Sequence, residues 1–190
     1  MNRIVLASMA ALFGASAFAA PVTYTLDPNH TYPSFEADHF GGLSTWRGKF
    51  DSTSGKVVYD KDAKAGSIDV TVDMSSIDFG MPKLNEHAKS PEIFDAAKYP
   101  NARFVSTKVT PTAPDSATIT GKFTLHGVTK PVTLKARLVG SGTNPMDKTF
   151  NVGFEAVGKI RRSDFGIKQY LPLVGDEVTL KIAGGFVLQQ

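Results

Sequence analysis

Apolar and polar residues alternate with a period of two over most of the chain. Val22-Thr23-Tyr24-Thr25-Leu26, Ile68 to Met74, Ile119 to Leu125, Val132 to Leu138, Phe150 to Ala156 and Val178 to Ile182 each place apolar side chains on one face and polar ones on the other. This is the pattern of half-buried β-strands. The polar positions are largely threonine and lysine, which suit a solvated face, whereas strands of a parallel sheet covered on both sides would be continuously apolar. An antiparallel sheet with one wet face is therefore expected. Weaker alternation at Phe35 to Phe40, Trp46 to Phe50, Gly55 to Tyr59 and Phe104 to Val109 raises the strand count to eight or more, enough for a closed barrel or a sandwich. Turn-forming residues at Asp60 to Gly66, Pro111 to Ser116, His126 to Pro131 and Gly140 to Pro145 predict that sequence neighbours pair as hairpins.

One stretch follows a different period. Between Pro82 and Tyr99, Leu84, His87 and Ala88 recur at helical spacing. Ser90-Pro91-Glu92 then reads as N-cap, first-turn proline and favourable acid for a second helix carrying Ile93, Phe94 and Ala97, which Tyr99-Pro100 ends. Because Pro91 cannot continue a helix begun at Pro82, two short helices meeting at Ser90 are expected, lying across the barrel as a lid or plug.

The 190 residues, 42% of them hydrophobic, allow one core. Residues 1–19 carry one charge, Arg3, an apolar run from Ile4 to Phe13 and the small-x-small ending Ala17-Phe18-Ala19. That arrangement predicts a signal peptide cleaved after Ala19 and a periplasmic single domain over residues 20–190. No later apolar stretch approaches the ~18 residues that a membrane span needs, so stable membrane insertion is not expected. Arg3 is one of 21 basic residues; its removal leaves 20 against 18 acids, a net charge of +2. The only adjacent basic pair is Arg161-Arg162, so there is no phosphate-tracking stripe and nucleic acid is not an expected partner. With no cysteine, the exported domain must hold together by burial alone.

Catalytic signatures are missing: there is no G-x-S-x-G elbow, H-E-x-x-H, phosphate loop or dinucleotide fingerprint. His30, His39, His87 and His126 fall on different elements at irregular spacing, and Asp51, Asp60, Asp73 and Asp78 read as solvated strand-end acids. No catalytic residue, metal ligand or cofactor is assigned. What stands out is apolar surplus. Phe35, His39, Phe50, Val70, Val72, Phe104, Phe123, Leu125, Leu134 and Phe154 share the inward phase of their strands, and Trp46, Ile68, Met74 and Phe165 join them as expected lumen residues. An eight-stranded barrel either fills such an interior with side chains or encloses one small ligand.

The chain resembles the YceI-like family of periplasmic isoprenoid-binding proteins along nearly its whole length after residue 20. The resemblance is carried by Ser34-Phe35-Glu36-Ala37-Asp38-His39-Phe40, Gly48-Lys49-Phe50, Asp73-Met74-Ser75-Ser76-Ile77-Asp78 and Leu84-Asn85-Glu86-His87-Ala88-Lys89-Ser90 with Phe94-Asp95 and Lys98-Tyr99-Pro100. It continues through Phe104 with Ser106-Thr107, Gly121 to Val132, Arg162-Ser163-Asp164-Phe165-Gly166-Ile167 and Val174-Gly175-Asp176-Glu177-Val178. The resemblance implies an all-β fold, an antiparallel eight-stranded extended lipocalin-like barrel with one or two short helices inserted near residues 82–98. It also implies that the lumen holds a long-chain isoprenoid, isoprenoid quinone or similar amphiphile. Trp46 stands where the family more often has a small aliphatic residue, which leaves the lumen's length open. At Arg162 and Asp164, paired hydrogen bonds locking a turn are favoured over a head-group site. The expectation is a carrier that does no chemistry, with a homodimer left open; the rivals are a small periplasmic enzyme acting on a lipid or quinone in the same barrel, and a plugged barrel acting as an interaction module.

Overall fold

The structure is a computed structural model that describes residues 21–60 and 65–189. Residues 1–19, expected to be a signal peptide, and residues 61–64 at the centre of the Asp60 to Gly66 turn lie outside the described residues. Eleven strands form one antiparallel sheet: β1 (Val22–Leu26), β2 (Tyr32–His39), β3 (Ser44–Phe50), β4 (Thr53–Asp60), β5 (Ala65–Asp73), β6 (Ile77–Asp78), β7 (Asn101–Ala113), β8 (Ser116–Leu125), β9 (Val128–Thr143), β10 (Phe150–Arg161) and β11 (Val174–Leu188).

Three pairs of these strands are single staves with a corner: β1 with β2, β3 with β4, and β5 with the two-residue β6, which pairs with β3 as β5 pairs with β4. β11 pairs with β2 through Val178–Ala183 and with β1 through Phe186–Leu188, so β1 and β2 lie end to end along it. Their corner is pinned to β11, where Asp27 N–H donates to Gly185 O at 2.8 Å and Gly185 N–H to His30 O at 3.0 Å. β3 runs on into β4 in the same way. At that corner Asp51 N–H donates to Ser76 O at 3.1 Å and Ser52 N–H to Ser76 Oγ at 3.0 Å. Counted as staves, the sheet is an eight-membered up-and-down barrel in which β1–β11 pairing closes the ring.

The staves run longer than the alternation suggested. Pro111 to Ala113 belongs to β7, and both Pro131 and Gly140 to Thr143 belong to β9. These turn-type residues stay in strands because their neighbours supply the ladder: Gly140, Ser141, Gly142 and Thr143 face Gly153, Val152, Asn151 and Phe150. Pro131 pairs with Lys122 on β8, while β10 joins β9 only from Leu134 onward, so its missing N–H falls on the free side. The β8–β9 turn is only His126-Gly127, with φ of 51° and 74°, the mirror-image turn that suits strand twist. Glycine is required there twice over, since a Cβ would also stand 2.6 Å from the Tyr99 ring.

The barrel has two unlike ends. At the hairpin end short connections link β4 to β5, β7 to β8 and β9 to β10. The other end is capped by the segment from Met74 to Pro100 and by the β10–β11 connection. The cap contains one helix, α1 (Pro82–Lys89), started by Pro82 and anchored by Asn85, whose Nδ2 donates to Asp78 Oδ1 at 2.9 Å while its Oδ1 accepts from Phe79 N–H at 2.8 Å. The second expected helix does not form. Ser90 to Pro100 is a chain of turns, because Asp95 adopts φ 45° and its N–H returns to Ser90 O at 2.9 Å; the Ser90 hydroxyl, buried and without a partner, caps nothing. The tightest packing is at this capped end, where Met74, Ala96, Ala102, Leu125, Ile160, Phe165 and Ile167 are buried together.

Candidate ligand-binding site

Inside the staves lies a cavity of about 1070 Å³, at the top of the ~300–1,000 Å³ range of small-molecule sites. Its wall is the inward half of the alternation. Ile68, Val70 and Val72 of β5 stand beside Phe104 of β7, which in turn faces Phe123 of β8. Leu125, Leu134 and Phe154 carry the wall onward through β8, β9 and β10, and Phe35, Trp46 and Phe50 complete it on β2 and β3, with Met74 beneath the cap. Twelve of the fourteen expected lumen residues therefore line one space.

Exposure shows that this space is not a filled core. Phe165 and Met74 are the largest fully buried side chains, at 1% and 2%, yet the inward rings of Phe35, Phe50, Phe104, Phe123 and Phe154 are only half-buried. Rings that point inward and still present surface lack dispersion partners on one side, which an apolar ligand would supply. Gly48 helps set the shape: a Cβ there would lie 2.6 Å from Phe35 and 2.9 Å from Phe79, so the bare backbone lets both rings lie against the wall.

Two expected lumen residues are placed elsewhere. His39 ends β2 at the capped rim, outside the cavity, where its Nδ1 meets Ser44 Oγ at 2.8 Å and its ring lies 3.9 Å from Phe40 and 4.8 Å from Trp46 between centroids. Strand phase alone cannot show that the β2–β3 hairpin has outrun the lumen by that point. Phe165 sits in the 3-10 turn Arg162–Phe165 and packs edge-on to Phe123 at 5.6 Å, sealing the capped end instead of lining it. Trp46 does line the cavity, edge-on to Phe79 at 5.9 Å. Conversely, Phe79, Leu84 and Phe94 face the lumen although none lies on a predicted strand; the helical spacing of Leu84 with Ala88 is the signal that marks them.

Few polar groups reach the wall. Arg162, 9% exposed, is the buried cation, and four of its N–H groups are taken by backbone carbonyls: Gly175 O at 2.9 Å, Ile167 O at 3.3 Å, Gln169 O at 2.8 Å and Val174 O at 2.7 Å. Burial lowers its proton affinity. The guanidinium thus locks the β10–β11 connection, as expected, but its partners are carbonyls and not Asp164. The carboxylate that orders this turn is Asp176, which accepts from Ser163 N–H at 2.8 Å, Ser163 Oγ–H at 2.7 Å and Arg161 Nε–H at 3.0 Å. Burial would raise its pKa, and those donors together hold it below the usual carboxylate range. His87 of α1 meets the Tyr170 hydroxyl at 2.9 Å across the cap, both of them at the cavity wall.

A closed eight-stave antiparallel barrel, capped at one end around an apolar lumen, is a lipocalin-like barrel. Residues 24–186 match the YceI-like domain, and the chain belongs to that family. It is 38% identical over 169 residues to Protein YceI of Escherichia coli O157:H7, covering 88% of this chain and 87% of that one. A UPF0312 protein of Pseudomonas aeruginosa is 37% identical over 188 residues, covering 96% and 97%. Among solved structures, BcnA of Burkholderia cenocepacia superposes with a TM-score of 0.75 at 27% identity, over 84% of this chain and 98% of that one. A polyisoprenoid binding domain from Saccharophagus degradans shares the fold, with a TM-score of 0.65 at 16% identity, over 87% and 98%.

Proposed function

We propose that the chain is a periplasmic carrier, exported with residues 1–19 removed, that holds one long-chain isoprenoid or isoprenoid quinone in the barrel lumen and performs no chemistry on it. The observation that carries this reading is the 1070 Å³ cavity walled by half-buried aromatic and aliphatic side chains. Such a wall suits a flexible hydrocarbon chain: each buried CH₂ contributes about 0.8 kcal/mol, with few directional demands. The fold shared with a polyisoprenoid binding domain supports the same ligand class.

Trp46 gives a direct readout, since it is the only tryptophan and stands in the wall. Titration with isoprenoid alcohols of increasing length should give saturable, one-to-one changes in its fluorescence. Affinity should rise with each isoprene unit until the lumen is full and then level off. Absence of saturable binding at every length would overturn the proposal.

A further inference from the structure

The inward positions lose cover steadily from the capped end of the barrel to the hairpin end. On β9, Val132 and Leu134 are buried, Ala136 and Leu138 half-buried and Ser141 exposed, although all five line the lumen. β7 runs the same way, from buried Ala102 through half-buried Phe104 and Val109 to exposed Pro111 and Ala113. On β10, Ile160 is 9% exposed and Phe150 38%. The wall then continues past the strands to exposed Pro114 and Asp115 in the β7–β8 turn, and Tyr59, 42% exposed, belongs to it near the end of β4.

The capped end is a packed floor. Met74 and Phe165 are fully buried there with Ala96, Leu125 and Ile167. Among the described residues, nine exposed ones line the cavity, and seven of them are those named at the hairpin end. The other two, Gln169 and Tyr170, stand at the capped end, where the Tyr170 hydroxyl is bonded to His87.

The chemistry of the wall changes with its exposure. Midway it is aliphatic and aromatic, whereas the hairpin end adds the hydroxyls of Tyr59, Ser116 and Ser141. Ser116 Oγ–H donates to Asp115 Oδ1 at 2.9 Å, and Leu138 N–H donates to Asp115 O at 2.7 Å, which fixes the turn against β9. Polar groups at the floor already serve the fold: Arg162 gives four N–H groups to backbone carbonyls, and His87 and Tyr170 meet each other. An isoprenoid alcohol or quinone carries oxygen at one end only. Driving that end onto the floor would strip it of water without returning hydrogen bonds, while the hydrocarbon end loses nothing there.

We infer that the hairpin end is the mouth of the lumen, through which an isoprenoid enters hydrocarbon end first, so that its last units lie under the cap near Trp46 and its oxygen-bearing head stays among Tyr59, Ser116 and Ser141. This rests on the carrier reading and gives the bound molecule a direction.

The chain has no cysteine, so a single one can be introduced as a handle. In the full-length variant Ser141→Cys, a bimane on the thiol reports on the mouth while Trp46 reports on the region under the cap. Hexaprenol with a nitroxide at its hydrocarbon end should quench Trp46 strongly and the bimane weakly. Entry is tested by coupling a bulky polyethylene glycol maleimide to the same thiol, or to Met81→Cys at the capped end, a position 53% exposed and outside the cavity wall. Uptake of unlabelled hexaprenol from ethanol, followed by Trp46 emission, should slow roughly tenfold or more with polymer on Ser141→Cys, because entry then waits for the mouth to clear. Polymer on Met81→Cys should leave the parental rate unchanged. Bimane quenched as much as Trp46 or more, or uptake slowed as much at Met81→Cys as at Ser141→Cys, would overturn the assignment of the mouth. A parent protein that takes up no hexaprenol at all would count against the carrier reading instead.

Discussion

Val72→Trp is expected to weaken binding of a long-chain isoprenoid by about tenfold or more, while lowering stability by less than about 1 kcal/mol. Val72 is half-buried on β5 and lines the lumen, with Thr53 and Ala102 opposite it on the neighbouring staves. An indole there enters space that the protein leaves empty and a ligand would fill. Leu134→Trp makes the contrast. Leu134 also reaches the cavity but is only 6% exposed, and its Cδ2 lies where a Cβ on Gly158 would meet it. Enlarging that side chain forces its neighbours apart, so overpacking should cost about 1–3 kcal/mol. Chemical denaturation beside isothermal titration on both variants separates the two effects. Equal stability losses at Val72 and Leu134 would mean that the interior is already packed.

Arg162→Ala should be the most destabilising single substitution at the cap, by about 3–5 kcal/mol. Its four acceptor carbonyls lie on the connection from β10, at Ile167 and Gln169, and on the first two residues of β11, Val174 and Gly175, and each would lose a charged donor. Arg162→Lys should recover only a minor part, since one ammonium cannot span four acceptors that a planar fork meets together. Thermal or denaturant unfolding of both variants reads the effect. If Arg162→Ala keeps nearly parental stability yet loses ligand binding, the guanidinium serves the ligand and not the fold.

The barrel was legible because period-two alternation survives in every long stave: Ile68, Val70 and Val72 are inward on β5 as their spacing demands. Local rules failed where pairing outweighed residue preference. Gly140 to Thr143 looks like a loop in isolation and becomes strand because β10 offers a complete ladder beside it. Likewise Ser90-Pro91-Glu92 carries a helix-start signature, yet the positive φ at Asp95 and the bonds from the N–H groups of Phe94 and Ala96 back to Ala88 and Lys89 turn the chain tightly instead. Of the site, the strand-borne wall and the first helix of the cap could be read, and the rest of the cap could not. Phase places Phe104 or Phe154, but nothing local tells that β2 has passed the rim at His39, that Phe165 seals, or that Arg162 binds carbonyls thirteen residues away at Gly175. Those facts depend on where the loops fold back, which is a tertiary property.

If the lumen is a ligand site and not an unfilled flaw in packing, the protein should carry its ligand out of the cell that makes it. Native mass spectrometry of the protein as its own host makes it, purified without detergent, reads this out. One apolar molecule per chain is expected, retained through gentle ionisation and released by organic extraction as an isoprenoid or isoprenoid quinone. A bare protein mass, together with no uptake of added isoprenoid, would contradict it.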